Sequence, residues 1–253
     1  MRMKKFLLLA VCAVAWGFVS GCALFMHKDS EQVVTLKVGP SWTHTNDVKH
    51  DFGPLGTFEA KNVDYDTGVA VGFGIEHWFG SLPYLGIGLD VEHFNANSPK
   101  QKTNQCFTGE GCARDPLDPF VSQHYNATAL EFLLRARYGF MNSNEFPNGR
   151  YQLFALVGPA IFFANYFDAG HHFNFPNHQK DSDTTAGVTT GMGLRYMLTR
   201  NIDWSLEYRF KYFSPRFDVT EFGFGPAKIK TNLATSQLLF GLSYHFYNLF
   251  GGM

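Results

Sequence analysis

The sequence has few charged residues, almost no net charge and no apolar run that suits a membrane-spanning helix. Charged side chains make up 17% of its 253 residues, and 21 Lys and Arg stand against 22 Asp and Glu. This balance leaves no basic excess for a nucleic-acid partner, so we expect none. Aromatic residues, by contrast, reach 17%, and 25 Gly and 11 Pro supply many turns. The composition indicates a β-rich chain of one or at most two domains, and a soluble β-sandwich is one way to satisfy it.

The first 22 residues have the pattern of a secretory leader. Arg2, Lys4 and Lys5 form a positive start, and the apolar run that follows, 6–19, is short for a membrane helix. The leader ends in Val-Ser-Gly-Cys, which resembles the cleavage site of bacterial lipoproteins, where the cysteine becomes the lipidated first residue. We therefore predict a signal peptide over 1–22, cleaved before Cys22, and lipidation of Cys22. Cleavage after Ala23 without a lipid is the alternative.

Two further cysteines, Cys106 and Cys112, lie in the short segment QCFTGEGCA. Because the leader directs the protein to an oxidising compartment, these two are predicted to form a disulfide that staples a loop. A zinc site would require further His or Cys ligands, and this segment contains none. We expect neither a metal nor a cofactor.

The segment Ile202–Phe213, IDWSLEYRFKYF, alternates strictly between large apolar or aromatic residues and polar ones. One face of such a strand is apolar and the other charged, as in a transmembrane barrel that turns its apolar face to lipid. Seven other segments are interpreted as strands, at residues 34–42, 69–79, 85–92, 130–138, 151–167, 188–196 and 237–246. The predicted fold class is all-β: an eight-stranded antiparallel up-and-down transmembrane β-barrel over residues 32–246.

The connections between the predicted strands alternate in length. Short turns fall near residues 80–83, 142–149 and 199–201, and long polar loops at 45–62, 96–123, 168–183 and 215–230. Bacterial outer-membrane barrels have short periplasmic turns and longer extracellular loops, whereas a soluble sandwich has no reason for this asymmetry. We therefore predict a periplasmic N-terminal segment over 23–31 and extracellular long loops, with residues 247–253 as a short C-terminal extension.

The last third of the chain resembles a known family. The stretch GVTTGMGLRYMLTRNIDWSLEYRFKYF, followed by a long loop and LLFGLSYHF, is similar to the last three strands of opacity-type, outer-membrane-protein-A-like barrels. The resemblance implies a Gram-negative outer-membrane protein, and Tyr244 and Phe246 resemble the aromatic signal recognised by the outer-membrane assembly machinery. The chain departs from that pattern because it continues beyond Phe246. The family is functionally diverse, so the resemblance implies an architecture rather than an activity.

Projecting the alternation inward fills the barrel with a balanced set of charges. The acids are Glu76, Asp90, Glu92, Glu131, Asp203 and Glu207, and the bases are Lys37, Arg135, Arg137, Arg195, Arg209 and Lys211. An eight-stranded barrel is only wide enough for side chains to fill it, and losing the partner of a buried charge costs on the order of 3–5 kcal/mol. We therefore predict an ion-pair network that plugs the lumen, which excludes a wide diffusion porin.

The predicted function is structural or surface-interactive, with the long loops contacting outer-membrane lipid, lipopolysaccharide, a host surface or another ligand. A small gated ion channel is one alternative, because the ion pairs would conduct if they exchanged partners. A lipid A-modifying enzyme is the other, and its candidate groups are Glu76 with His77, Glu92 with His93, and Ser122 with His124. Adjacent strand residues point to opposite faces, and the last pair has no evident carboxylate, so we predict that the protein is not an enzyme.

Two smaller sets of residues have simpler interpretations. His171, His172 and His178 cluster in the third long loop, where such residues are more often solvated or in contact with lipopolysaccharide phosphates than part of a metal site. Aromatic residues near strand ends are predicted to form the interfacial belts of the barrel, and these are Trp78, Tyr84, Tyr166 and Tyr212.

Overall fold

The period-2 alternation of the sequence becomes a closed antiparallel barrel in a computed structural model. The structure describes residues 30–99, 101–102, 104–107, 111–113, 120–121, 123–168, 171–172, 175–176, 179–221 and 225–247. Numbered with all other strands in chain order, the barrel strands are β1 Glu31–Thr43, β4 Gly68–Phe79, β5 Leu82–Asn97, β10 Gln123–Phe140, β11 Tyr151–Asp168, β14 Gln179–Met197, β15 Ile202–Phe213 and β18 Leu233–Tyr247. Each pairs with its neighbour along the chain, and β1 pairs with β18 to close the barrel. The predicted fold class is confirmed.

The outer face of the barrel is an apolar belt. Along β15, polar residues that point inward are buried and the apolar residues between them are exposed or partly exposed. Leu36, Met192 and Phe240 expose 62%, 65% and 57% of their surface. A soluble protein rarely leaves a continuous apolar surface of this kind open to water, whereas a lipid-facing barrel requires it. Within the described ranges, no helix is long and apolar enough to cross a bilayer.

The short connections all lie at one end of the barrel, here called the turn end. They span residues 80–81, 141–150 and 198–201. The first and last barrel residues, Glu31 and Tyr247, are paired at the same end. These two residues extend the barrel by one position beyond each predicted boundary, 32 and 246. The opposite end is here called the loop end.

Three of the four connections predicted as long polar loops contribute strands to a second sheet at the loop end. The strands are β2 Asn46–Asp51, β3 Thr57–Val63, β7 Asn104–Phe107, β8 Gly111–Ala113, β16 Arg216–Glu221 and β17 Gly225–Thr231. They pair in the order β16-β17-β2-β3-β7-β8 and form what we call the loop-end sheet. Two two-residue ladders complete the strands: β6 Gln101–Lys102 with β9 Phe120–Val121, and β12 His171–His172 with β13 Phe175–Pro176. The connection between β2 and β3 holds a single 3₁₀ turn, Gly53–Leu55. Its first residue, Gly53, and the residue that follows it, Gly56, both have positive φ.

The loop-end sheet packs its apolar face into the mouth of the barrel. Its contribution includes Val48, Phe217 and Ile229, all buried. Six aromatic side chains of this core form what we call the aromatic cap: Phe94, Tyr125, Phe162, Tyr166, Phe213 and Phe217. Phe162 stacks on Phe213 with ring centroids 4.1 Å apart, and the Tyr166 and Phe217 rings stack at 5.2 Å. The buried core beneath the loop-end sheet therefore includes aromatic rings from both the barrel strands and β16.

Two of the four residues predicted for the interfacial belts are inside the protein instead. Tyr84 and Tyr212 point outward and are 54% and 42% exposed. Trp78 and Tyr166 are buried to 1% and 2% exposure, Trp78 in the lumen and Tyr166 in the aromatic cap. The prediction failed for these two because nearness to a strand end does not fix the face, which depends on residue parity. Trp78 shares the inward parity of Glu76.

Candidate functional site: the charged lumen

All twelve charged residues predicted to point inward are buried, and each makes at least one ion pair. None exposes more than 6% of its surface. They lie on six of the eight barrel strands and meet across the lumen, as the alternation requires. Their pairs are Lys37 with Asp90 and Glu207; Arg135 with Glu76 and Asp90; Arg137 with Glu31; Arg195 with Glu76 and Asp203; Arg209 with Asp90, Glu92, Glu131 and Glu207; and Lys211 with Glu92 and Glu131. Buried ion pairs are therefore present as predicted.

Arg209 is the hub of the network. Its guanidinium donates to four carboxylates, those of Asp90, Glu92, Glu131 and Glu207. The Arg209 side chain is fully buried. Arginine suits this position because its planar group carries five donors and is always charged. No other described cation contacts as many carboxylates.

Two lysines and a second arginine complete the central layer. Lys37 Nζ lies 2.8 Å from Asp90 and 3.1 Å from Glu207, and Lys211 lies 3.0 Å from Glu92. Arg135 joins this layer to the next one, because it lies 2.9 Å from Asp90 and 3.0 Å from Glu76. An inward glycine makes room for it: a Cβ at Gly88 would lie 2.6 Å from Arg135 Nε.

A second layer lies nearer the turn end and is organised by Glu76. Arg195 donates to both oxygens of Glu76 at 3.0 Å, and Trp78 Nε1 donates to Glu76 Oε2, also at 3.0 Å. Arg195 also lies 3.2 Å from Asp203. Arg137 stacks over Trp78, with 4.2 Å from its guanidinium carbon to the ring centroid. The inward tryptophan thus binds both an acid and a base of the network.

Sequence reasoning missed two members of this layer, Glu31 and His245. Glu31 fell just outside the predicted barrel, yet it is 2.6 Å from Arg137 and supplies that arginine's ion-pair partner. His245 bridges Glu31 and Asp203 through its two ring nitrogens. Both nitrogens face carboxylate oxygens, which are acceptors, so the geometry fits a doubly protonated imidazolium. The inward parity of His245 was the signal that could have found it.

The turn end is covered by the connection between β10 and β11. Asn148 in this connection donates to Glu31 Oε2 at 3.1 Å, so the turn is tied to the lumen network. Phe146 is buried beside it at 8% exposure. At the other end, the network meets the aromatic cap, where Lys211 lies 5.6 Å from the centroid of the Phe94 ring. The paired charges therefore lie between the β10–β11 connection at the turn end and the aromatic cap at the loop end.

Two of the three residue pairs considered for catalysis, Glu76 with His77 and Glu92 with His93, do not come together. Glu76 and Glu92 point into the lumen, whereas His77 lies 3.4 Å from Gln32 Nε2 and His93 lies 3.1 Å from the Thr128 hydroxyl, outside it. His124 stacks on Phe167, and Ser122 lies outside the described residues. The backbones of His171 and His172 pair with those of Pro176 and Phe175 in a short ladder. His178 lies outside the described residues. No metal-ligand cluster occurs among the residues that the structure describes.

The remaining predicted residues lie at the margins of the structure. Cys106 and Cys112 are direct partners in the β7–β8 register, and their side chains lie outside the described residues, as does all of Cys22. Tyr244 is 46% exposed on the outer face, and its ring centroid lies 4.7 Å from that of Phe246. These two aromatics therefore form an outward pair on the last barrel strand.

Comparison with known proteins identifies the family. The family model described as outer membrane protein beta-barrel domain matches residues 16–246. OprG from Pseudomonas aeruginosa has 13% sequence identity and a TM-score of 0.55, with 87% of this chain and 97% of that chain covered. Neisserial surface protein A shares 11% identity at a TM-score of 0.43, covering 85% of this chain and 97% of that one. Ail of Yersinia pestis has 10% sequence identity and a TM-score of 0.41, with 85% of this chain and 99% of that chain covered.

Likeness at these identities concerns the fold, and of the three only OprG exceeds a TM-score of 0.5. No curated protein sequence matches this chain. The family match spans most of the sequence and coincides with the closed eight-stranded barrel. The chain therefore belongs to the outer membrane protein beta-barrel family and is a bacterial outer-membrane protein.

Proposed function

We propose that this protein is a non-conducting outer-membrane barrel whose role is structural or surface-interactive and whose loop-end sheet faces the outside of the cell. The observation that carries the proposal is the filling of the lumen. Charged side chains of the lumen are paired, with Arg209 bound to four carboxylates, and the aromatic cap occupies the loop end. To pass, an ion would have to break several buried ion pairs and separate packed aromatic rings. Each of these changes costs several kcal/mol.

Single-channel recording in a planar bilayer tests this proposal. Folding is first confirmed by the mobility shift of the unboiled protein in a gel. We expect no discrete current steps from the wild-type protein. Reproducible steps that vanish in Arg209→Gln or Glu207→Gln, but persist in the exposed control Lys228→Gln, would contradict the proposal and establish the small gated channel in its place.

The absence of enzymatic activity is part of the same proposal. Its support is that each acid and its neighbouring histidine, Glu76 with His77 and Glu92 with His93, are adjacent in one strand, where adjacent side chains point to opposite faces. Overexpression should leave the mass spectrum of lipid A unchanged relative to an empty vector. A new lipid A species that appears with the wild-type protein and is lost in His124→Ala would overturn this part.

We also propose the processing inferred from the sequence: a signal peptide over 1–22, a lipid on Cys22, a periplasmic segment over 23–31 and a short extension over 247–253. A Cys106–Cys112 disulfide is proposed with it, and its support is the direct cross-strand register of the two residues. The intact mass of the membrane-extracted protein should exceed that of residues 22–253 by a lipid. Reduction should then expose two thiols to alkylation. Cleavage after Ala23, or alkylation without reduction, would contradict the respective proposal.

The proposed partners are outer-membrane lipid, lipopolysaccharide, the outer-membrane assembly machinery and a host or surface ligand that binds the loops. The outward aromatic pair Tyr244 and Phe246 supports contact with the assembly machinery. Phe246→Ala should lower the amount of folded barrel in the outer membrane. Phe240→Ala, on the same face of β18 and 57% exposed, is the matched control. Equal yields from the two variants would count against the signal.

A further inference from the structure

Three cations stand side by side on the exposed face of the loop-end sheet. In the strand register, Arg216 lies opposite Lys230, and Lys230 lies opposite Lys49. All three alternate with buried residues of the same strands, so they share the outer face. Like charges directly opposite each other on a sheet repel and destabilise it. We call these three residues the cationic row.

The next row of the same sheet is balanced and shows the contrast. There, Lys228 on β17 lies between two acids. Asp218 is its partner on β16, and Asp51 is its partner on β2. In the cationic row, Lys49 has one acidic partner, Glu59 at 3.1 Å, and Lys230 has one, Asp51 at 3.3 Å. The Gly53 N–H and the Lys230 ammonium lower the pKa of Asp51. Within the described part of the chain, the Arg216 guanidinium makes no ion pair, although the Asp183 carboxylate accepts a hydrogen bond from the Arg216 backbone N–H at 2.8 Å. The three cations of the row therefore outnumber the two acids that form ion pairs with them, Glu59 and Asp51.

The cationic row borders a cleft of about 240 Å³. Ser214, Thr231 and Asn232 line the cleft with hydroxyl and amide groups beside the three cations. Of the described residues that line it, Asp47 is the only acid, and its Oδ1 accepts a hydrogen bond from the Asn62 N–H at 3.0 Å. A cleft that combines arginine, lysine and hydroxyl donors matches the chemistry of a phosphate group.

The position of the cleft along the barrel axis, relative to the apolar belt, matches the layer of the lipid headgroups. Tyr212, at the loop-end edge of the apolar belt, is 42% exposed. Arg216 follows four positions later, at most about 13 Å along extended chain. Aromatic residues mark the membrane interface in such barrels, and the headgroup layer begins there. The cationic row therefore lies just beyond the apolar belt, where phosphates of an outer-leaflet lipid would be.

We propose that Lys49, Arg216 and Lys230 form a phosphate-binding cleft at the loop-end rim of the barrel. The inference rests on the proposed function, since it requires the loop end to face outward. The shared chemistry is a phosphate group, carried by a lipid headgroup or present as free inorganic phosphate. Phosphate in the cleft would offset the mutual repulsion of the row and fix the loop-end sheet against the membrane surface.

Lysine acetylation, read by mass spectrometry, tests the cleft on the folded full-length protein. The probes are inorganic phosphate with detergent-solubilised protein, and phosphatidylcholine nanodiscs with or without diphosphoryl lipid A. We expect labelling of Lys49 and Lys230 to fall about threefold when the probe is at roughly twice its Kd. Lys228, on the same strand and face as Lys230, is the internal control and should label unchanged. Protection by both probes indicates a general phosphate site, and protection by lipid A alone indicates a headgroup site.

Arg216→Gln should abolish the protection without changing the gel shift of the folded barrel. The proposal is overturned if neither probe protects Lys49 and Lys230. It is also overturned if chloride at matched ionic strength protects them equally, because that would be charge screening. A membrane-impermeant acetylating reagent on intact cells separates this result from the proposed function. If Lys228 is not labelled from outside, the outward orientation fails, whatever the outcome with phosphate.

Discussion

Replacing Arg209 with methionine is expected to destabilise the barrel by about 3–5 kcal/mol. Arg209 is fully buried and donates to four carboxylates, so its loss leaves Asp90, Glu92, Glu131 and Glu207 without their common cation. Lys37 and Lys211 still pair with these acids, but they cannot offset the remaining negative charge. Urea-induced unfolding from lipid vesicles, followed by tryptophan fluorescence, measures the loss of stability.

Two further variants separate the charge effect from a loss of packing. Arg209→Met combined with Glu131→Gln removes one uncompensated carboxylate and should recover part of the stability. Arg216→Gln, an arginine lost from the exposed sheet, should unfold at nearly the wild-type urea concentration, because its side chain is exposed and forms no ion pair with a described residue. If Arg209→Met unfolds like the wild type, or if Glu131→Gln worsens it, the network is not what stabilises the lumen.

The charged lumen could be predicted from the sequence because strand parity decides which side chains point inward. Once β15 is aligned, Asp203, Glu207 and Arg209 must share a face. A narrow barrel then forces opposite charges into contact. The identity of each partner could not be predicted, since pairing across the lumen depends on the stagger of strands. The structure's pairing of Arg137 with Glu31 illustrates this, because Glu31 lay one residue outside the predicted barrel.

The loop-end sheet could not be predicted for a different reason. Its strands are short, six residues in β2 and β16, and their alternation carries polar residues that also suit a loop. Tertiary contacts stabilise them as strands. Val48 and Phe217 are buried because the barrel strands extend beyond the apolar belt and bring Tyr125 and Tyr166 into the same core. Tyr166 was assigned to a lipid interface for the same reason, because nothing local indicates a second sheet above it.

Phe217→Ala is expected to release the loop-end sheet while leaving the barrel folded. The Phe217 ring is fully buried and packs on Tyr125 and Tyr166, with centroids 5.8 and 5.2 Å apart. Removing a buried phenylalanine costs about 3–5 kcal/mol. This loss of stability should fall on the loop-end sheet, because the barrel strands keep their backbone hydrogen bonds and their ion pairs. Tryptic cleavage after Lys49 and Lys230 should therefore rise about 150- to 5,000-fold, since cleavage follows the open population.

Phe240→Ala is the matched control for this result, because Phe240 lies on the outer face of the barrel and is 57% exposed. It should leave tryptic cleavage unchanged, and both variants should keep the gel shift of the folded barrel. Equal cleavage of wild type and Phe217→Ala would mean that the aromatic cap does not anchor the sheet. Loss of the gel shift in Phe217→Ala alone would mean that cap and barrel unfold as one unit. The loop-end sheet would then be part of the barrel's own stability rather than a separable surface.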